Sequence, residues 1–560
     1  MKIVIVGGVA GGATAAARIR RLNEQAQIVV FERTGYISYA NCGLPYYIGG
    51  IIEDPEDLTL QTPESFFRRF RVDMRVRHEV TAIHRDRKTV SVRNLDTGRE
   101  FEESYDKLLL SPGAKPVRPS LPGLDNPKLF TLRTVEDTFK IKDFVNKTAP
   151  KSAVIVGGGF IGLETAENLR HLGLDVTMVQ RPKQLMNPFD GDMAAFIHNE
   201  VRKHGIKLAL GQSVEGVADR EVGVDVLLKD CPPLHADMVI LAIGVAPESG
   251  LARDAGLELG LKGSILVNDR METSDPDIYA VGDAVQVKHY VTGEAALIAL
   301  AGPANKQGRI AADNICGGDS CYRGSQGSSV IKVFDLTAAS TGLNETNARK
   351  SGLDVESVIL SPMSHAGYYP GGKVMTMKVV FEKGTYRLLG AQIVGYEGVD
   401  KRIDVLATAI HAGLKGTRLK DLDLAYAPPY SSAKDPVNMA GFIIDNISKG
   451  LKQWHLGDTL PRDGSAILLD TRTVGEFRRG HVEGFQNIPV DELRERIREL
   501  EPGKPVYVIC QSGLRSYIAT RILEGYGFEA YNFAGGFRFY DAVMNDRALI
   551  EQALPCGMDW

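Results

Sequence analysis

Two cysteines in different settings carry the chemistry that this chain advertises. Cys42 lies in Ser38-Tyr39-Ala40-Asn41-Cys42-Gly43-Leu44-Pro45-Tyr46, shortly after a glycine-rich turn, and Cys510 opens Cys510-Gln511-Ser512-Gly513-Leu514-Arg515-Ser516 after the apolar run 506–509. A thiolate can attack a disulfide, accept a sulfane sulfur or be oxidised, according to what surrounds it. A cysteine between a buried strand and a helix start is ringed by loop amides and the helix dipole, which stabilise an attached anionic sulfur. Arg515 follows Cys510 with four residues between, and the two are read as catalytic together. The other cysteines, Cys231, Cys316, Cys321 and Cys556, are too few and too scattered for a disulfide framework, and no Cys-x-x-Cys or Cys/His cluster suggests zinc or iron–sulfur. Cys231 and Cys556 are given no function.

The elements that must position Cys42 are read from its neighbours. Residues 2–6 are an apolar run, Gly7-Gly8-Val9-Ala10-Gly11-Gly12 follows, and 13–22 reads as helix. Strand, glycine turn and helix make a pyrophosphate site. Val9 departs from the usual glycine, but Glu32 stands 20 residues after Gly12, where a carboxylate binds ribose hydroxyls, with Arg33 beside it. A second unit, Val154 to Glu164, repeats the pattern in full through Gly157, Gly159 and Gly162. Two such units imply two dinucleotides. The strand after the second ends in Gln180-Arg181-Pro182-Lys183. Without an acidic residue there, the basic pair leans toward NADPH or dual use, and solvated loop charge is the competing reading.

Two further segments, Leu108 to Ala114 with Ser111, Pro112 and Gly113, and Thr273 to Ala284 with Gly282 and Asp283, complete four motifs in order. Together they resemble the two-dinucleotide flavoprotein disulfide reductases over about residues 1–445. That resemblance implies FAD on 1–115 plus 245–322, a nicotinamide nucleotide (NADH or NADPH) on 116–244, and a dimerisation domain over 325–445; Gly244 and Asn305 join the implied cofactor contacts. Most such reductases use Cys-x4-Cys, but position 47 is Tyr47, so an oxidised Cys42 must be a mixed disulfide, persulfide or sulfenic acid. Cys316 and Cys321 have the spacing without the strand–helix context, and are read as bystanders. The single-cysteine motif looks most like coenzyme A disulfide reductase and its persulfide-reducing relatives. Thr14, Arg18 and Arg21 share one helix face, and Arg69 sits in a basic run. By the likeness, Thr14, Arg18, Arg21, Ser38, Asn41, Arg69 and Lys434 bind CoA. Tyr368 and Tyr426, with Tyr369 and Tyr430 as the alternative positions, reach the partner subunit's cysteine in a homodimer, where a phenol can stabilise or protonate a leaving thiolate.

The sequence around Cys510, with Asp470-Thr471-Arg472, Gly480 to Gly484 and Asn487-Ile488-Pro489, resembles a rhodanese domain over 461–560, after a linker at 446–460. Cysteine phosphatases place five residues where this loop has four, so the narrower loop favours sulfur over phosphate. The expected fold is α/β: two Rossmann-like dinucleotide-binding domains, an α+β dimerisation domain and a C-terminal α/β rhodanese domain. A net charge of -4 gives no reason to expect nucleic acid, and no apolar run is long enough to span a membrane. The Met-Lys-Ile-Val start reads as a strand rather than a signal peptide, so a cytoplasmic location is expected. The expected activity is NAD(P)H-dependent reduction of CoA disulfide, CoA persulfide or polysulfide, with Cys510 supplying sulfane sulfur. An NADH oxidase or peroxidase, or a redox-sensing sulfur-trafficking module, are the alternatives.

Overall fold

Strand Lys2–Val6 has four consecutive buried residues, Ile3 to Val6, the pattern of a strand covered by helices on both faces. The computed structural model describes residues 1–553, so Cys556 lies outside the described residues. Around Lys2–Val6 a parallel sheet runs Ile278–Ala280, Lys107–Leu110, Lys2–Val6, Gln27–Glu32, Asp73–Val76. A second parallel sheet repeats this layout with Leu129–Phe130, Met238–Leu241, Ser152–Val156, Asp175–Gln180 and Lys207–Leu210. Each central strand turns through glycine into a helix, Ala10–Leu22 or Phe160–His171. The turn needs glycine because φ is +97° at Gly7 and +115° at Gly157. Gly12 and Gly162 serve close approach instead: a Cβ would stand 1.9 Å from the Gly7 carbonyl or 2.0 Å from that of Gly157.

The third sheet is antiparallel, ordered Ser329–Val333, Leu336–Gly342, Leu388–Gly395, Met375–Glu382, Val355–Leu360. Helices Val399–His411 and Pro436–Ser448 share its apolar core. Arg402 is buried there and ties two surface loops together, donating to the Ser364 carbonyl at 3.0 Å and to Asp435 at 3.0 Å.

The fourth sheet is parallel, ordered Lys452–Trp454, Ala530–Phe533, Val506–Ile509, Ile467–Asp470, Gln486–Asn487. The segment 446–460, expected as a linker, therefore holds the end of helix Pro436–Ser448 and an edge strand of this last sheet. Trp454, Phe533 and Phe539 share one hydrophobic cluster with Phe189, Met193 and Ile197 of the second unit. Helix Gly536–Gln552 lies along helix Gly191–Lys203. Between them the buried Asp546 accepts from His198 Nδ1 at 2.9 Å and Arg202 Nη1 at 2.5 Å. His198 Nε2 accepts from the Leu185 N–H at 2.9 Å, so the Nδ1 proton is the one offered to Asp546. Among the described residues no helix is long and apolar enough to cross a membrane.

Candidate active sites

A cleft of about 1410 Å³ lies between the two parallel-sheet units and reaches strand Ser329–Val333. Gly7, Val9, Ala10, Gly11, Glu32, Arg33, Ser111, Pro112, Gly113, Gly282, Asp283 and Asn305 line it from the first unit, and Gly159, Glu164 and Gly244 from the second. Thr14, Arg21, Ser38, Asn41, Arg69 and Cys42 line it too. Gly8, Gly12, Gly157, Gly162, Gln180 and Arg181 stand outside this lining. Equivalent bonds hold Gly8 and Gln180: the Gly8 N–H donates to Glu32 Oε2 at 2.9 Å, and the Gly158 N–H donates to Gln180 Oε1 at 3.0 Å. Gln180 thus occupies in the second unit the place that Glu32 occupies in the first. Arg181 is exposed.

Cys42 is exposed on the cleft wall, in the short turn Asn41–Gly43 that leads into helix Leu44–Gly49. Partial desolvation, then the Glu164 carboxylate, push its thiol up, and the Arg133 guanidinium opposes them. Arg133 was not singled out from the sequence, since no motif spacing announces it. It pairs with Asp283 at 2.8 Å. With the Asn41 amide oriented to satisfy both groups, Nδ2 donates to the Arg133 carbonyl at 3.1 Å and Oδ1 accepts from its Nη1 at 3.3 Å. Ser38 is held at φ 45°, a left-handed conformation that costs about 1 kcal/mol. Behind Cys42, the Tyr46 hydroxyl donates to Glu164 at 3.5 Å. Burial pushes Glu164 up to about 7, and burial with the Glu164 charge pushes Tyr46 up to about 12.

The helix face expected to hold CoA phosphates is shared with a neighbour. Thr14 donates to Asn305 Oδ1 at 2.8 Å, and Arg18 pairs with Asp313 at 2.7 Å and is absent from the cleft lining. Helical periodicity puts Thr14, Arg18 and Arg21 on one face, but the partners come from helix Ala301–Ile315, far along the chain. Arg21 and Arg69 remain as cleft cations. Arg33 makes a two-pronged pair with Glu248 at 2.5 and 2.6 Å. Tyr368 and Tyr426 are 75% and 45% exposed, bond each other through their hydroxyls at 2.5 Å, and do not line the cleft of their own chain. Tyr369, Tyr430 and Lys434 are likewise exposed on the two loops that Arg402 ties. Cys316 and Cys321 are free thiols outside the cleft lining.

Cys510 is fully buried at the end of strand Val506–Ile509. Its Sγ accepts from the Gly513 N–H at 3.1 Å and from Ser516 Oγ at 3.2 Å. Ser516 closes the loop in sequence, and its hydroxyl is a sulfur contact that spacing alone did not identify. Arg515, read as catalytic together with Cys510, forms a two-pronged pair with Glu476 at 2.7 and 2.8 Å. Arg515 first, then bonds from Thr473, hold the Glu476 carboxyl down to about 2, against burial. Buried Arg472 bonds Asp470 and lies 3.8 Å over the Phe537 ring. Gly536 lets the next helix pack directly against this loop, since a Cβ there would stand 2.7 Å from the Gln511 carbonyl oxygen and the Ser512 nitrogen.

The model of the pyridine nucleotide-disulphide oxidoreductases matches residues 1–308, that of their dimerisation domain 328–436, and that of the rhodanese-like domain 456–542. Coenzyme A disulfide reductase of Staphylococcus aureus (strain JH9) is 38% identical over 442 residues, 79% of this chain and 99% of its own. Among solved structures, reduced CoADR-RHD of Bacillus anthracis is 47% identical and covers 98% of both chains with a TM-score of 0.95. An NAD-dependent persulfide reductase from A. fulgidus is 38% identical over 96% of this chain and 100% of its own, with a TM-score of 0.91. A water-forming NADH oxidase from Lactobacillus brevis is 30% identical over 80% and 99%, with a TM-score of 0.77.

Proposed function

The chain belongs to the pyridine nucleotide-disulphide oxidoreductase family, and from that premise we propose that it reduces CoA-bound sulfur, as CoA disulfide, CoA persulfide or polysulfide, through Cys42. The observation that carries this reading is a cleft lined by one cysteine, with Arg21 and Arg69 as cations on the same wall. One thiol cannot close an internal disulfide, so the sulfur that it engages must come from a substrate. Two arginines suit the phosphates of an ADP-like group whose thiol arm reaches inward.

FAD fits the first unit: Gly7, Gly11 and Glu32 line the cleft, and the helix beginning at Ala10 offers its N–H groups to phosphate there. When bound, FAD supplies the two-electron relay between the nicotinamide and Cys42. Gln180, in place of a carboxylate, leaves room for NADPH beside NADH. The Cys42 thiolate attacks the S–S bond of the substrate and expels a thiolate. The exposed Tyr368 and Tyr426 reach the partner subunit's cleft in a homodimer, as the dimerisation domain favours. Cys510 collects sulfane sulfur and passes it toward Cys42, directly or by way of CoA.

The test is steady-state oxidation of NADH and NADPH with CoA disulfide, CoA persulfide, polysulfide, oxygen and peroxide, with sulfide followed. CoA-bound sulfur is expected to be turned over fastest, with Cys42→Ser inactive but still holding FAD. Faster oxidation with oxygen or peroxide than with any sulfur acceptor would favour an oxidase and sink this reading.

A further inference from the structure

The proposed reaction consumes a proton. CoA persulfide, NAD(P)H and one H⁺ give CoA thiol, H₂S and NAD(P)⁺; CoA disulfide gives two CoA thiols by the same balance. The S–S bond is reduced, the nicotinamide is oxidised, and the thiolate released beside Cys42 must be protonated. A group on the cleft wall beside Cys42 can supply that proton, as well as the phenols that a partner subunit brings.

The packing of two helices places a carboxyl there. Helix Leu44–Gly49 is pressed on helix Phe160–His171 so closely that a Cβ on Gly49 would stand 2.0 Å from Asn168 Oδ1. One turn earlier on each helix, the Tyr46 hydroxyl meets Glu164 at 3.5 Å, and Glu164 lines the same cleft as Cys42. The groups facing Glu164 are Tyr46 and Cys42 from the first segment and Glu167 from its own helix; Arg133 and Asp283 face Cys42 and are paired with each other. Among the described residues no cation bonds the Glu164 carboxylate, and the hydrogen bond that it accepts comes from Tyr46. Half-buried, partly desolvated without a cation and beside a second carboxylate, Glu164 is pushed up to about 7, where it can hold a proton near neutrality.

We propose that Glu164, hydrogen-bonded by Tyr46, holds the proton that is delivered to the thiolate released at Cys42. This rests on the functional reading above and gives Glu164 a task beyond the nucleotide contact that its motif position suggests.

The test uses the full-length, FAD-loaded enzyme and its Glu164→Gln and Tyr46→Phe variants, each checked for FAD content. The wild-type kcat should fall as pH rises through the Glu164 titration, because the donor must be protonated. Glu164→Gln should lower kcat on the order of a hundredfold and remove that alkaline fall, with KM for the nucleotide within about twofold. Tyr46→Phe removes the bond that favours the carboxylate, so the alkaline limb should move to higher pH. A readout without turnover is alkylation of Cys42 by iodoacetamide against pH, followed by peptide mass spectrometry. In Glu164→Gln the thiol should titrate at lower pH, because the facing carboxylate is gone. An unchanged pH profile with unchanged alkylation overturns the proposal, and so does a loss confined to nucleotide KM. If the wild type turns over none of the CoA-bound sulfur substrates, the functional reading falls. A shifted alkylation profile then still upholds the Glu164–Cys42 coupling, and an unshifted one overturns it.

Discussion

Cys42 and Cys510 are held in opposite ways. Cys42 is exposed on a cleft built from three parts of the chain and faces carboxylates that raise its thiol, whereas Cys510 is buried and its sulfur accepts from the Gly513 N–H and the Ser516 hydroxyl. The first arrangement gives access to several groups at once, and suits a thiol that is regenerated by electrons. The second stabilises negative charge on one sulfur atom and suits a carrier. In the proposed function, burial and exposure divide the labour between two residues of the same type, and the shared core around Trp454, Phe539 and Phe189 fixes one unit against the other.

The comparison is broken most directly by exchanging the two thiols. Cys42→Ser should reduce NAD(P)H oxidation with CoA-bound sulfur to background while the C-terminal unit still takes up sulfur, read as intact mass after exposure to thiosulfate. Cys510→Ser should do the reverse, leaving reduction of CoA disulfide within about twofold. Loss of CoA disulfide reduction in Cys510→Ser would show that the two sites are not separable.

A smaller effect is expected where the units meet. Asp546→Ala leaves His198 and the Arg202 contact facing a lost carboxylate in a buried setting, and should lower unfolding stability by about 3 kcal/mol in urea. Burial pushes the Asp546 carboxyl up, but the His198 and Arg202 bonds outweigh it and hold it below the usual range. Its contribution is therefore present above the ordinary carboxylate pKa and lost as pH falls through the folded-state value. A variant as stable as wild type at neutral pH would mean that the apolar core alone holds the contact.

The least effect concerns the rim of the Cys510 loop. Glu476→Gln frees Arg515 and should tighten binding of an anion such as thiosulfate by about threefold, the scale of an exposed ion pair. In the wild type the pair should persist as pH falls below the ordinary 4.5, and dissolve as pH passes through about 2; the variant should lack that acid transition. Unchanged anion affinity would mean that Arg515 has no part in holding the ligand.

Much of the architecture is legible locally. The turns at Gly7 and Gly157, the close approaches at Gly12 and Gly162, and the strand before Cys510 are each set by residues within a few positions of one another. The start of the last unit is not legible locally, because Lys452–Trp454 is a three-residue edge strand whose partner, Ala530–Phe533, lies near the other end of that unit. Tyr46 and Glu164 each sit in a motif read from the sequence, but their meeting depends on how two helices pack.

What the sequence determined by itself was the set of strand–turn–helix units and the two thiols placed at their ends, since backbone conformation and Cβ collisions act over short stretches of chain. What only the tertiary structure decided was the partner of each charge: Arg18 with Asp313, Arg33 with Glu248, Arg133 with Asp283 and Arg515 with Glu476. An ion pair requires only that two groups come within about 4 Å, and spacing along the chain does not encode that distance. Those pairings decide which arginines remain to meet a substrate, and so where a motif residue becomes part of the fold.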